Sequence, residues 1–394
     1  MLDELGRRKL MLGGTAAIGV TALGGCGTMS VPRSFAPIPP LPPVRASVDR
    51  ITRITVCTRP FRAAGPRLDV EQIGHQTIVH NYGHGGSGWS LSWGSGTIAV
   101  RNALATGAPA VGVIGCGALG LTAAVLAQRA GLAVTIYAKD RPPDVRSSLA
   151  TGVWSPDSRI CLEENATPAF KQIWTEMCRT SFQTYQNYLG LADNPVEWID
   201  EYLLTDGPLH AAPSGTPGAQ PPKFAELRHE LVPDISPRFE ELAPGASPFP
   251  TLKARRSSTM MFNLTEYARL LMSDFLENGG HIQTREFHSP ADFAGLPEKT
   301  LINCTGYGAR ALFGDESVTP VRGQLTRLIP QPEVHYGIIY NNVSLVPRRD
   351  GLVIQAFGPD DGFGFGDATT NPDRAEAEQA VKTIGSLFGR AGTA

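Results

Sequence analysis

The apolar run Val111-Gly112-Val113-Ile114 leads straight into Gly115-Cys116-Gly117-Ala118-Leu119-Gly120, and this junction constrains the fold most tightly. A short apolar run bounded by a turn reads as a buried parallel strand. The three spaced glycines supply a tight turn, close backbone approach to a pyrophosphate and tight packing of the next helix. Leu121 to Ala130 continues as an Ala-rich helix stopped by Gly131, and Leu132 to Tyr137 reads as the following strand. The result is a βαβ unit whose helix N-terminus turns free N–H groups and a positive dipole end toward a phosphate. An α/β chain with a dinucleotide site is expected, with Gly115, Gly117, Ala118, Leu119 and Gly120 in contact with the nucleotide. Ala138 and Lys139 stand where the ribose-binding acid is normally found, so Asp140, the nearest carboxylate, takes that role. The alternative for Asp140 is a plain surface position before Arg141-Pro142-Pro143.

The first thirty residues read as an address. Arg7-Arg8-Lys9 precedes an apolar, Gly- and Ala-rich run from Met11 to Gly25, and Leu23-Gly24-Gly25-Cys26 closes it. That run is shorter than the roughly 20 residues a membrane span requires, so it reads as the h-region of a leader. The arginine pair suggests twin-arginine export. Leu-Gly-Gly-Cys is similar to a bacterial lipoprotein cleavage box, with lipid attachment at Cys26. A periplasmic or cell-envelope lipoprotein is expected, held at the outer membrane if the host has one. Six prolines between Val31 and Val44 then form a stiff, extended tether. A net charge of −2 without a basic block gives no reason to expect a nucleic-acid partner. Cys57, Cys116, Cys161, Cys178 and Cys304 have no paired metal spacing, so neither a metal site nor a disulfide framework is expected.

About thirty residues before the βαβ unit stands His80-Asn81-Tyr82-Gly83-His84-Gly85-Gly86-Ser87-Gly88, with Trp93-Gly94 behind it. This segment resembles the flavin-facing stretch that closes enzymes of the D-amino-acid oxidase family, in which the dinucleotide turn opens the chain. Ser147 to Trp154 resembles that family's second flavin loop, and Thr300-Leu301-Ile302-Asn303-Cys304-Thr305-Gly306 resembles the strand and turn beside its nucleotide. Tyr340 to Pro347 and Leu352 to Gly358 look like its late substrate-domain strands, and a helix is expected from Asn371-Pro372. The family's next segment, an Arg-Pro pair, is found near the start of this chain as Thr58-Arg59-Pro60-Phe61-Arg62. Gly96 to Ala105 looks like the family's closing helix and leads into the first βαβ strand. The resemblance therefore implies a circularly permuted D-amino-acid-oxidase-like α/β fold, with a Rossmann-type FAD-binding domain and an α+β substrate domain.

On that reading residues 1–25 are the export signal, 26–50 the tether, and 51–108 the permuted flavin-facing segment and helix. Residues 109–155 are the Rossmann unit and 156–298 mainly substrate domain. Residues 299–320 return a strand and turn to the FAD domain, and 321–394 supply substrate-domain strands and the final helix. Residues 211–250, rich in Pro and Gly, read as an irregular surface loop. A further helix is expected behind an Asn263 cap with Glu266 as its capping-box partner, followed by a strand from His281 to Phe287.

The resemblance implies FAD as cofactor and oxidative deamination of a D-amino acid, with electrons passing to oxygen or another acceptor. Arg59 stands at the family's carboxylate-binding position, a role suited to a planar two-donor guanidinium. Tyr340 matches a family tyrosine near the same carboxylate. Gly83, Gly85, Gly86 and Gly88 let backbone groups approach the flavin and the substrate amine, with Gly86 at the reacting centre. Trp89, Ser90, Ser147, Ser148, Ala150, Thr151, Gly152, Thr305 and Gly306 complete the implied flavin contacts. His80 and His84 are read as braces for the loop. One departure is Ser344, where family members carry a second tyrosine. Arg348 and Arg349 beside Asp350 read as a solvated turn. A glycine- or sarcosine-oxidase-like amine oxidase and a non-catalytic flavin-fold lipoprotein are the alternatives.

Overall fold

The computed structural model describes residues 41–207, 221–243, 245–251 and 253–389. The leader, Cys26 and most of the proline tether lie outside them. Two sheets organise the described chain. The first runs, in spatial order, Val70–Ile73, Gln76–His80, Thr300–Asn303, Ala110–Ile114, Ala133–Ala138, His281–Thr284. All its pairings are parallel except the hairpin between the first two strands. Its central strands are almost wholly buried and mainly apolar, as a parallel sheet covered on both faces requires.

Helix Ala118–Arg129 links the two neighbouring strands of the βαβ unit, and Gly131 ends it at φ 88°. Against it pack Gly88–Leu104 and Leu264–Glu277, with Pro168–Gln186 against the first of these. The helix expected from Gly96 begins eight residues earlier, at Gly88. Its glycines and serines lower helix propensity, but burial of Trp89 through Gly96 against neighbouring helices overrides that preference. Gly94 is required there: a Cβ would stand 2.1 Å from the Met177 carbonyl oxygen of the crossing helix. Trp93 Nε1 donates to the Tyr267 hydroxyl at 2.7 Å, which satisfies the buried indole N–H.

The capping box expected at Asn263 does not form. Asn263 makes no side-chain cap bond; its Nδ2 donates to Asn194 O and to Glu197 Oε1, and its Oδ1 accepts from Arg349 N. Glu266 instead pairs with Arg269. The strand after this helix is also shorter than expected, ending at Thr284.

The second sheet runs Ile51–Arg62, Val318–Leu328, Gly351–Ala356, Val343–Arg348, Tyr336–Tyr340, Val196–Thr205, Lys253–Phe262, Glu240–Glu241. It is antiparallel except where Tyr336–Tyr340 meets Val196–Thr205. One face is closed by helix Arg374–Gly389, whose Val381, Ile384 and Leu387 meet Ile338, Leu345, Leu352 and Ile354. The end of the proline segment also docks on this body. Val44 is buried, Tyr336 donates its hydroxyl proton to Pro42 O, and Gln331 Nε2 donates to Pro43 O. The tether thus gives way to packed chain before residue 50. Arg348 is not solvated either. Its side chain is fully buried, ion-paired to Asp350 and donating to Ala150 O at 2.8 Å.

Candidate active site

A cavity of about 2040 Å³ opens at the carboxyl ends of the parallel strands and extends over the uncovered face of the second sheet. Crevices at strand carboxyl ends are where open α/β sheets bind ligands. The volume is about twice that of a large single-ligand pocket, so a dinucleotide and a substrate fit together.

At the nucleotide end, Gly115 has φ 109° and no room for a side chain, because a Cβ would lie 2.7 Å from Cys304 O. Gly117, Ala118 and Leu119 line the cavity beside it. Gly120 does not; it lies beneath, where a Cβ would stand 2.0 Å from Gly115 O, and so sets the turn's shape. Asp140 is exposed at the cavity rim beyond the Ala133–Ala138 strand.

The loop from Ser147 to Trp154 is laced to both sheets. Ser147 Oγ accepts from Ala118 N at 3.0 Å and its carbonyl accepts from Trp89 Nε1 at 2.8 Å. Thr151 donates its hydroxyl proton to Gln355 Oε1 at 2.6 Å. Gly152, at φ 89°, accepts from Phe262 N. Ser147, Ala150, Thr151 and Gly152 line the cavity, whereas Ser148 faces away, its carbonyl held by Arg327. Thr305 and Gly306 close the same end, with Thr305 bonded to Asn303 Oδ1 through both its N–H and its hydroxyl.

The turn from Gly83 to Gly88 joins the two sheets. Gly85 N donates to Pro60 O and Gly86 N to Ser158 O, each at 2.9 Å. Gly85, Gly86, Gly88, Trp89 and Ser90 line the cavity, and Ser90 Oγ accepts from Ser155 N. Gly83 stays outside it, with Arg62 packed where a side chain would go.

His84 is 1% exposed and neither ring nitrogen has a partner among the described residues. Burial pushes its pKa from 6.5 down to about 3, so the ring is neutral, and the residue lines the cavity. Between those values the unfolded chain takes up a proton that the folded chain refuses. The resulting stability is complete above pH 6.5 and falls, by up to about 1.4 kcal/mol per pH unit, on acidification toward pH 3. The thermal midpoint of His84→Phe is expected to fall less steeply than that of the wild type between pH 6.5 and 4. Equal slopes would mean that the folded ring takes up the proton.

Arg59 lies half-buried on the cavity wall, flat across Gly323. A Cβ there would stand 2.5 Å from its guanidinium, and one nitrogen donates to Arg322 O at 3.1 Å. Arg159 stands near it at φ 50°, donating twice to Asp361 O. Burial, and then the Arg59 charge, push the Arg159 pKa down to about 10. No sequence motif marked Arg159 or Glu201, another cavity residue, whose carboxyl burial pushes up to about 7. The segment from Pro221 to Glu230 also lines the cavity rather than forming a plain surface loop.

Tyr340 is a correction. It is 1% exposed on the opposite face of its strand, packed against the closing helix, with its hydroxyl donating to Asp206 Oδ2. Side chains alternate along a strand, so the neighbouring Ile339 faces the cavity instead. Ser344, opposite Ile339 in the ladder, faces it too.

The model of the family described as FAD dependent oxidoreductase matches residues 110–392. D-amino-acid oxidase of Rubrobacter xylanophilus is 27% identical over 285 residues, covering 70% of this chain and 76% of its own. D-amino-acid oxidase of Dictyostelium discoideum is 24% identical over 295 residues, covering 71% and 72%. Among solved structures, glycine oxidase from Geobacillus kaustophilus superposes with a TM-score of 0.45 at 15% identity, covering 72% and 76%.

Proposed function

The chain belongs to the FAD dependent oxidoreductase family, and we propose that it oxidatively deaminates a D-amino acid. The observation that carries this reading is one cavity that joins a glycine-lined nucleotide turn to a wall bearing Arg59. FAD, when bound, supplies the hydride acceptor. Gly115, Gly117 and the N-terminus of the Ala118–Arg129 helix would hold its pyrophosphate.

Arg59 would hold the substrate carboxylate through two parallel charge-assisted bonds, fixing the Cα–H bond in one direction. Hydride leaves Cα, the amine gives up a proton, and water hydrolyses the imino acid to a 2-oxo acid and ammonia. The backbone around Gly86, which lines the cavity, would meet the substrate amine. Oxygen or another acceptor would then take the electrons. The leader motif and Leu23-Gly24-Gly25-Cys26 support export through the twin-arginine route and lipid anchoring to the cell envelope.

We read the chain as circularly permuted. The family match begins at residue 110, yet Ile51–Arg62 and Gln76–His80 complete both sheets and the turn between Gly85 and Gly88 lines the cavity. Permutation leaves such a site intact when the joined ends lie at the surface.

Anaerobic absorbance of the purified, FAD-loaded protein tests the reaction. Bleaching of the flavin by D- but not L-amino acids is the expected result. Bleaching by glycine or sarcosine alone would favour an amine oxidase, and no bleaching by any of them would overturn the reading.

A further inference from the structure

We propose that His80 is a positioning residue for FAD. It acts through Asn303 on the turn at Thr305, although neither His80 nor Asn303 lines the cavity itself.

His80, Asn303 and Ile114 end three neighbouring parallel strands in one register, with Asn303 in the middle. Asn303 Oδ1 accepts from the Thr305 N–H at 3.2 Å and from the Thr305 hydroxyl at 2.7 Å. A backbone N–H can only donate, so this oxygen cannot exchange places with the amide nitrogen. Asn303 Nδ2 therefore faces His80 Nδ1, 3.0 Å away, and that ring nitrogen must accept. The ring proton then stands on Nε2 and is donated to Glu71 Oε2 at 2.9 Å. Arg67 Nη2 donates to the same carboxylate oxygen at 2.9 Å. A chain of bonds with one permitted direction thus joins Glu71 to Thr305.

His80 is fully buried against the rings of Tyr82 and Phe313. Burial, and then the Arg67 charge, push its pKa below the usual 6.5, against the opposing pull of Glu71 and Asp69. The neutral ring is the form this chain of bonds requires. A second ring proton, on Nδ1, would meet the amide protons of Asn303.

The far end of the chain of bonds meets the cofactor site. Cys304, Thr305 and Gly306 all line the cavity. Cys304 N donates to Ile114 O at 2.9 Å, and Cys304 O is the atom nearest to where a Gly115 Cβ would stand. The Thr305 turn therefore packs directly on the nucleotide turn. Rotation of the Asn303 amide would release both Thr305 donors and let this backbone shift. His80 Nδ1 opposes that rotation as the one acceptor bonded to Asn303 Nδ2 among the described residues.

Two substitutions separate this role from packing. His80→Asn puts an amide oxygen where Nδ1 stands and keeps an acceptor toward Asn303. His80→Gln extends to the Nε2 position and leaves the Asn303 amide unpaired. FAD dissociation constants are read from flavin fluorescence as FAD-loaded protein is diluted. His80→Gln should weaken FAD binding about ten-fold, and His80→Asn by less than about three-fold. Asn303→Ala should weaken it at least as much as His80→Gln. Adding His80→Gln to Asn303→Ala should then cost less than about two-fold more, because the chain of bonds is already cut. Equal losses in the two His80 variants, full affinity in His80→Gln or Asn303→Ala, or losses that multiply in the double variant would overturn the inference. The readout is FAD release, so the result stands apart from which substrate the protein oxidises.

Discussion

Arg59→Gln is expected to lower kcat/KM for every amino-acid substrate by about 10²- to 10³-fold, mostly through KM, with FAD still bound. A guanidinium offers a carboxylate two parallel charge-assisted bonds, each contributing about 1.5–3 kcal/mol. Losing most of that contribution corresponds to the stated factor at about 1.4 kcal/mol per ten-fold. The geometry supports a held guanidinium. Gly323 gives it a flat seat, and the Arg322 carbonyl fixes one nitrogen. Glutamine keeps polarity and loses the charge, so the loss should appear without unfolding. Arg59→Lys keeps the charge but not the planar fork, and should recover only part of the activity. Steady-state kinetics paired with the flavin absorbance of each variant separates substrate binding from cofactor loss. An unchanged KM in Arg59→Gln would move the carboxylate elsewhere, and Arg159, close enough on the same wall to feel the Arg59 charge, is a guanidinium that could receive it.

The parts of the fold that were legible in sequence were local. Val111 to Gly131 encodes a strand, a turn and a helix in consecutive residues, and the glycine spacing fixes which end meets a ligand. The Gly83–Gly88 turn was legible for the same reason. Residues brought in by strand register were not. Glu201 and Arg159 are single charges without a motif, and only the pairing of distant strands and the Gly85–Gly86 turn bring them to the cavity. Tyr340 failed by parity, because one residue along a strand reverses the face. Helix Gly88–Leu104 failed at its start because Gly94 and Gly96 serve close packing, which propensity cannot register. Asn263 and Arg348 looked like cap and surface residues. Each instead meets backbone groups of segments far away in sequence.

Gly85→Ala is expected to destabilise the fold by about 3–5 kcal/mol, the sum of two separate strains and the bonds they endanger. Gly85 has φ 55°, which costs an L-residue about 1–2 kcal/mol. Its new Cβ would also stand 1.9 Å from the Arg159 carbonyl oxygen. That oxygen belongs to backbone, so the turn has to move. Movement breaks the Gly85–Pro60 bond to the second sheet and the Gly86–Ser158 bond to the neighbouring loop. Gly88→Ala supplies the contrast. Gly88 has no atom within 4 Å of a new Cβ and opens a helix, where alanine is favoured over glycine. Its thermal midpoint should hold or rise. Measuring unfolding and FAD affinity for both variants therefore separates the glycine the fold requires from the glycine a ligand requires. A Gly88→Ala protein that unfolds normally but binds FAD more weakly would put the flavin against this turn. Undiminished affinity would instead place the ring farther along the cavity, and with it the carbon from which hydride is taken.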